Sequence, residues 1–244
     1  MSSRAEEFMD MYRKLETAAV EEYSMKNDGS AVYRLARRPE FRNLTKELDY
    51  CREVRNLLSH KPKAGNDYAV EPTEGMLNLL KMVLEEVKRP LRSRDIAVDM
   101  KSVLSASLDD PVLPILKQMN DRSIAMIPVL KKGAVVGAFG EKTLLKMLLA
   151  GNCSLDEKTT FAMIAENTEL CSYAPICFKF VAEETLAAEV SEMFDAARKD
   201  HVKIEMVFVT EGGLPDGKLR GIITAWDVAA YATDLSAGFD LSET

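Results

Sequence analysis

The chain is poor in the side chains from which most metal and redox sites are built. Its 244 residues include four cysteines and two histidines. Cys51, Cys153, Cys171 and Cys177 are too far apart for a zinc knuckle or a Cys-x-x-Cys redox pair. Two histidines do not supply a histidine-rich site, so no metal is expected. No apolar run approaches the roughly 18 residues of a membrane span. The first residues, MSSRAEEFMDMYRKL, are charged and lack the apolar core of a signal peptide. A reduced, cytoplasmic protein without a membrane partner is the expectation. Phosphate-binding P-loops, nucleophile motifs and paired-carboxylate hydrolase patterns are also missing.

What is present fits an ordinary globular chain: 47% hydrophobic and 29% charged residues, with a net charge of −7. The charge is uneven. Arg34, Arg37, Arg38, Arg42, Lys46, Arg52, Arg55, Lys61 and Lys63 stand against only Glu40, Glu47, Asp49 and Glu53. Such asymmetry points to two modules with different partners, or to a solvated helical face.

Residues 1–92 read as a helical bundle. Phe8, Tyr12, Leu15 and Ala19 follow helical spacing, as do Tyr50, Val54, Leu57 and Leu58, and then Leu77, Leu80, Leu84, Val87 and Leu91. Ser30 and Asn43 are candidate helix starts, and Pro62 with Gly65 marks a stop. From about residue 96 the pattern becomes strand–helix–strand–strand–helix, twice over. The expected copies are 93–155 and 156–244, the second with a longer turn, and Gly137 aligns with Gly221. Neither copy can bury both faces of its sheet alone, so the two are expected to pack together. The fold class is therefore α+β, a helical bundle followed by a tandem β-α-β-β-α pair.

The second copy closes on GIITAWD, Gly221–Asp227. A short buried strand breaks into a helix at Thr224, with Asp227 three residues on. A hydroxyl and a carboxylate beside the free N–H groups of a helix start suit a nucleotide's phosphate and ribose. The same tetrad is also a capping box, and both readings are open. His201 and Lys203, just before the strand EMVFVT, are candidate cations for a phosphate or solvated loop residues.

This ordered repeat, closed by G-h-h-[ST]-x-x-[DN], resembles the CBS-domain pair (Bateman module) over about residues 96–235. The resemblance implies two copies packed sheet to sheet, with clefts that hold AMP, ADP, ATP or another adenosyl ligand. It implies that Thr224 lies at the phosphate and Asp227 at the ribose hydroxyls. Ile222 and Ile223 would line the base slot, with Tyr173, Ala174, Pro175 and Ile176 as the opposite wall. In the first copy Gly140 stands where Thr224 does and Thr143 where Asp227 does, so one nucleotide per chain is expected. The resemblance also implies a homodimer.

In the helical part, Arg55-Asn56-x-x-x-His60 resembles the R-x(4–6)-H pattern of the HEPN superfamily, many of whose members are metal-independent ribonucleases. By that resemblance Arg55, Asn56 and His60 would act on RNA, Arg55 at the phosphate and His60 as acid or base. On an ideal helix Arg55 and His60 project about 140° apart. The plain alternative is a surface-paired Arg55 and a His60 favoured by the helix C-terminus. The function expected is that of a regulatory energy sensor rather than an enzyme, its adenine nucleotide biasing the helical domain or a dimer. A HEPN-like ribonuclease under nucleotide control and a scaffold that binds nothing are the alternatives, with a protein or RNA as possible partner of the helical part.

Overall fold

The computed structural model describes residues 4–60, 63–64, 67–68, 70–151, 155–170 and 176–238. These fall into two compact units, the second being Leu91–Ala232, while the end of the last helix, from Thr233, groups with the first.

The first unit is helical: α1 (Arg4–Tyr23), α2 (Ala31–Leu35), a 3-10 turn at Pro39–Leu44, α3 (Thr45–His60) and α4 (Glu74–Lys88). A small antiparallel pair, β1 (Lys63–Ala64) with β2 (Asp67–Tyr68), lies between α3 and α4. Phe8, Tyr12, Leu15 and Ala19 are fully buried, as their spacing predicts. They meet Leu80, Val83, Leu84 and Val87 of α4 in one core. Thr73 caps α4 by accepting from the Met76 N–H at 3.3 Å.

On α3 the structure corrects the inward face. Tyr50 and Leu57 are 60% and 46% exposed, and Leu48, Cys51, Val54 and Leu58 face the core instead. Tyr50 and Leu57 are seven apart and share a stripe, but it is not the stripe that meets α1. Ser30 starts α2 as expected, its carbonyl accepting the Arg34 N–H at 3.0 Å while its hydroxyl donates to Asp28, and Asn43 lies within the 3-10 turn. Pro62 and Gly65 lie outside the described residues, and Leu91 is 40% exposed beyond α4. Burial also pushes the Cys51 thiol up to about 12.

The second unit holds the repeat. It opens with the short helix α5 (Ser93–Ile96) and the strand β3 (Val98–Asp99). The first copy is then β4 (Ala106–Ser107), α6 (Val112–Asp121), β5 (Met126–Lys131), β6 (Ala134–Gly140) and α7 (Glu141–Leu149). After the one-turn helix α8 (Ala165–Thr168) comes the second: β7 (Ile176–Ala182), α9 (Ala187–Lys199), β8 (Lys203–Thr210), β9 (Leu219–Ile223) and α10 (Ala225–Gly238). In each copy the strand before the first helix is parallel to the strand after it, and the next strand returns antiparallel.

The segments that lead into the copies do not stay with the copy they precede. β3 adds to the second sheet, giving the order β3-β9-β8-β7, while β4-β5-β6 forms the first. Ser93 donates to the Ala182 and Glu183 carbonyls. The Ala187 N–H reaches Leu91 O at 2.8 Å. In the other direction, the Val112 N–H bonds Thr159 O, and Phe161 meets Phe139 edge to face at 5.1 Å. Residues 93–99, expected with the first copy, thus complete the second, and 159–161, expected with the second, close the first.

Between the sheets lies a layer of Val135, Met206, Phe208 and Leu219, joined by Leu130, Phe178, Phe180 and Ile222. Phe208 is fully buried and stacks on Phe178 at 5.6 Å and 14°. A bond from the Leu219 N–H to Gly133 O ties the two hairpin turns at 2.9 Å. The copies therefore bury each other's inner faces, as expected from their size.

Phe208→Ala leaves a cavity in this layer, and a loss of about 3–5 kcal/mol in urea unfolding is expected. An unfolding midpoint equal to wild type would contradict the packing described. Cys51 gives a pH dependence with a definite sign. In the unfolded chain the thiol ionises from its ordinary 9.0, while the folded chain holds the proton to about 12. Above the lower value the unfolded chain binds fewer protons, so stability is intact below it and falls as pH rises. Between about pH 8 and about pH 10 the unfolding free energy should drop by roughly 1 kcal/mol for this group. Cys51→Ala should make the measured slope shallower, and an unchanged slope would contradict the assignment.

Candidate functional site

β9 is a five-residue strand whose side chains alternate between two environments. Ile223 is fully buried among Val181, Val190, Val207 and Val228, on the helix side of the sheet. Ile222 points the other way, half-buried in the inter-sheet layer beside Phe208 and Met100. Only Ile222 of the expected pair faces the space between the copies, because consecutive strand residues point to opposite faces.

Gly221 is required by a close approach. A Cβ there would stand 2.7 Å from Val98 O of β3, the strand paired alongside β9. Its counterpart Gly137 lies under α8, where a Cβ would stand 2.6 Å from Thr168 O. The glycine repeated in the two copies thus marks where the exchanged segments cross.

Past Ile223 the chain turns into α10, and the Val228 N–H donates to Thr224 O, 3.2 Å away. Asp227 Oδ2 takes the Thr224 N–H and the Thr224 hydroxyl, each at 2.7 Å. The Asp227 side of a capping box is thus formed, with the Thr224 hydroxyl bonded to the same carboxylate, and it uses one of the two carboxylate oxygens. Thr224 and Asp227 both remain partly open to solvent. Trp226, between them, is 85% exposed.

In the first copy the same turn is sealed. Gly140 is buried, Thr143 and Ala138 are 0% exposed, and Thr143 Oγ1 accepts from the Gly140 N–H at 3.3 Å. A Cβ at 140 would meet Ala125 O at 2.5 Å, so no threonine fits where Thr224 stands in the other copy. Ala138 is covered by Met126, Leu170 and Phe178.

The expected cations are less well placed. Lys203 Nζ lies 2.7 Å from Glu205 Oε2, so its charge is already matched. His201 is exposed in a left-handed turn with φ of 56°. Tyr173, Ala174 and Pro175 lie outside the described residues. Ile176 is placed by its backbone alone, paired with Lys203 at the start of β7. Sequence spacing missed Val98 and Met100, which border Gly221 and Ile222 from a segment far away in the chain. The only available signal was that 96–100 precedes the first copy as 173–176 precedes the second. A cavity of about 680 Å³ opens elsewhere, between α6 and α7.

The helical unit keeps Arg55 and His60 apart. α3 is regular through His60, which is exposed at its last residue. Arg55 instead turns to α1, bonding Glu16 at 3.0 and 3.2 Å and Asn56 at 3.0 Å, with its guanidinium 5.1 Å from the Tyr12 ring. Burial pushes the Tyr12 hydroxyl above its ordinary range. Within one chain, then, the two residues do not converge on a reacting phosphate. Part of the basic excess is paired: Arg34 with Asp28, Arg37 and Arg52 with Asp49, and Arg38 with Glu40. Among the described residues there is no cluster of metal-ligating side chains, and no helix is long and apolar enough to cross a membrane.

No protein-family model matches the sequence, and no curated protein matches it. Several solved structures are similar at low identity. CBSX2 of Arabidopsis thaliana in complex with AMP is 17% identical, covering 59% of this chain and 98% of that one, with a TM-score of 0.44. The CBS domain of the bacterial CNNM/CorC family Mg2+ transporter in complex with ATP is 20% identical over 64% and 94%, with a TM-score of 0.43. A hemolysin-like protein containing a CBS domain, from Oenococcus oeni PSU, is 18% identical over 62% and 95%, with a TM-score of 0.40.

Removing the carboxylate at the open turn tests the cap by itself. Asp227→Ala should lower stability by about 1 kcal/mol in the absence of any ligand. Thermal unfolding checks this, and a variant as stable as wild type would mean that the turn does not depend on the bond.

Proposed function

We propose that Leu91–Ala232 is a CBS-domain pair that serves as a cytoplasmic regulatory sensor of an adenine nucleotide, with one ligand per chain at the second copy. The observation that carries this reading is the difference between the two helix starts. At the second, Ile222, Thr224 and Asp227 stand partly open, giving an apolar edge, a hydroxyl and a carboxylate beside the free N–H groups of a helix. At the first, Ala138, Gly140 and Thr143 are buried.

The chemistry follows from these groups. A phosphate is favoured at the N–H groups and Thr224 hydroxyl of the helix start, through both the unpaired donors and the helix dipole. The Asp227 carboxylate accepts from two ribose hydroxyls in charge-assisted bonds. To do so it gives up the Thr224 hydroxyl, so ligand exchanges one satisfied cap for another. Ile222 offers the adenine ring an apolar edge. AMP, ADP, ATP and other adenosyl compounds all meet these requirements. Ligand bound between the copies would favour one relative arrangement of them and thereby bias the helical unit or a homodimer, by no more than its difference in affinity for the two states.

A second reading has an observation of its own. The Thr224–Asp227 bonds and the Lys203–Glu205 pair satisfy each other without a ligand, as a purely structural pair of copies would require. Titration calorimetry with AMP, ATP, adenosine and S-adenosylmethionine separates the two. Saturable binding at one site per chain is expected, weakened about tenfold or more in Asp227→Asn. Adenosine should bind more weakly than AMP if the helix start holds the phosphate. Absence of binding to every adenosyl compound would leave the structural reading.

A further inference from the structure

Among the described residues, Glu40 is the one charged side chain that is buried, 7% exposed within the 3-10 turn Pro39–Leu44. Its Oε1 takes the Arg38 Nε–H at 3.1 Å, while its Oε2 is buried with no partner. Close by, the hydroxyl of Tyr23, the last residue of α1, is also buried with no partner. The Arg38 guanidinium lies 4.0 Å from the centre of the Tyr23 ring, so one cation serves both groups. Leaving a buried carboxylate oxygen unpaired is costly, and such an atom calls for a donor.

α4 brings a second carboxyl group to the same place. Glu86 is half-buried, next to the fully buried Val87. Burial first, and the Glu40 charge second, push its carboxyl above the ordinary 4.5. The groups around Tyr23 tell the same story. Burial and then Glu40 raise its hydroxyl, Glu86 and Glu22 add to that, and Arg38 opposes them. Acidic groups from α1, the 3-10 turn and α4 thus converge on a single guanidinium.

We propose that Glu40 and Glu86 hold one proton between them, a proton-sensitive latch between the 3-10 turn and α4. Glu40 is ionised against Arg38, and the Glu86 carboxyl donates its proton to the orphaned Glu40 Oε2. Two neighbouring carboxyl groups with little access to water do not both ionise readily. Arg38 decides which one stays charged, because it bonds Glu40. When the proton leaves for solvent, Glu86 becomes a carboxylate beside a carboxylate, and the turn is repelled from the helix. The folded chain holds this proton more tightly than the unfolded chain, whose Glu86 ionises from 4.5. Stability from the pair is therefore intact below that value and is lost as pH rises through the higher folded one. The latch lies within the helical unit and requires neither a nucleotide nor a second copy of the chain.

Carboxyl-carbon NMR of the full chain reads the proton directly. One glutamate is expected to titrate above 4.5, and its signal should vanish in Glu86→Gln, which assigns it. Glu40→Gln should bring that midpoint down toward 4.5, since the charge that holds the proton is gone. Tyr23→Phe should leave it raised. In urea unfolding, an amide at 86 keeps a donor for Glu40 and has no charge to gain. The midpoint of Glu86→Gln should therefore be close to wild type near about pH 5 and exceed it by a growing margin toward about pH 7. A Glu86 carboxyl that titrates at 4.5, a midpoint unmoved by Glu40→Gln, or a stability difference that stays constant with pH would each overturn the proposal. The wild-type titration and Glu86→Gln decide the matter even where Glu40→Gln does not fold. Failure here says nothing against adenosyl binding at Asp227, which lies in the other unit.

Discussion

The second unit depends on two crossings of exchanged segments, β3 paired beside Gly221 and α8 packed against Gly137. At each, a carbonyl lies so close that a methyl group would collide with it. Because β3 pairs with β9, the segment that precedes the first copy becomes an edge of the second sheet. Because 159–161 bonds to 110–112, the segment that precedes the second copy closes the first. Neither copy is then a closed fold by itself, and the Phe208 layer between the sheets is the shared core that results. Both crossings set the distances available at the nearby helix starts.

The difference between those starts is steric before it is chemical. At Gly140 the start of β5 presses against the turn, which excludes a hydroxyl-bearing side chain and buries Thr143. At Thr224 there is room, and the Asp227 cap that forms there leaves a carboxylate half in solvent. A cap and a ligand site draw on the same unpaired N–H groups, so a turn built as one is already most of the other.

The helical unit distributes its charge differently from its sequence. Arg34, Arg37, Arg38, Arg52 and Arg55 lie against carboxylates or aromatic rings, with Arg37 3.5 Å above Tyr33 and Arg38 4.0 Å above Tyr23. A guanidinium held by a bidentate carboxylate and an aromatic face is a structural tie more than a contact for a phosphate backbone. Arg55, between Glu16 and Tyr12, joins α3 to α1 in this way.

Much of this was legible in the order of residues. Helical spacing in α1 and α4, the short apolar runs of β5 and β8, and the repeated glycine identify the elements, since each depends on neighbours a few positions apart. The tetrad Thr224–Asp227 also declares its cap, because both partners lie within one turn. What only the tertiary structure decided depends on distant segments meeting. These include which copy β3 completes, which of Ile222 and Ile223 faces the layer between the sheets, and that Tyr50 and Leu57 lie outside α3's buried stripe. They also include the matching of Arg55 by Glu16, across 39 residues. Local pattern follows from backbone geometry, which each segment carries with it. Exposure and charge pairing follow from what packs against a segment, and no segment encodes that alone.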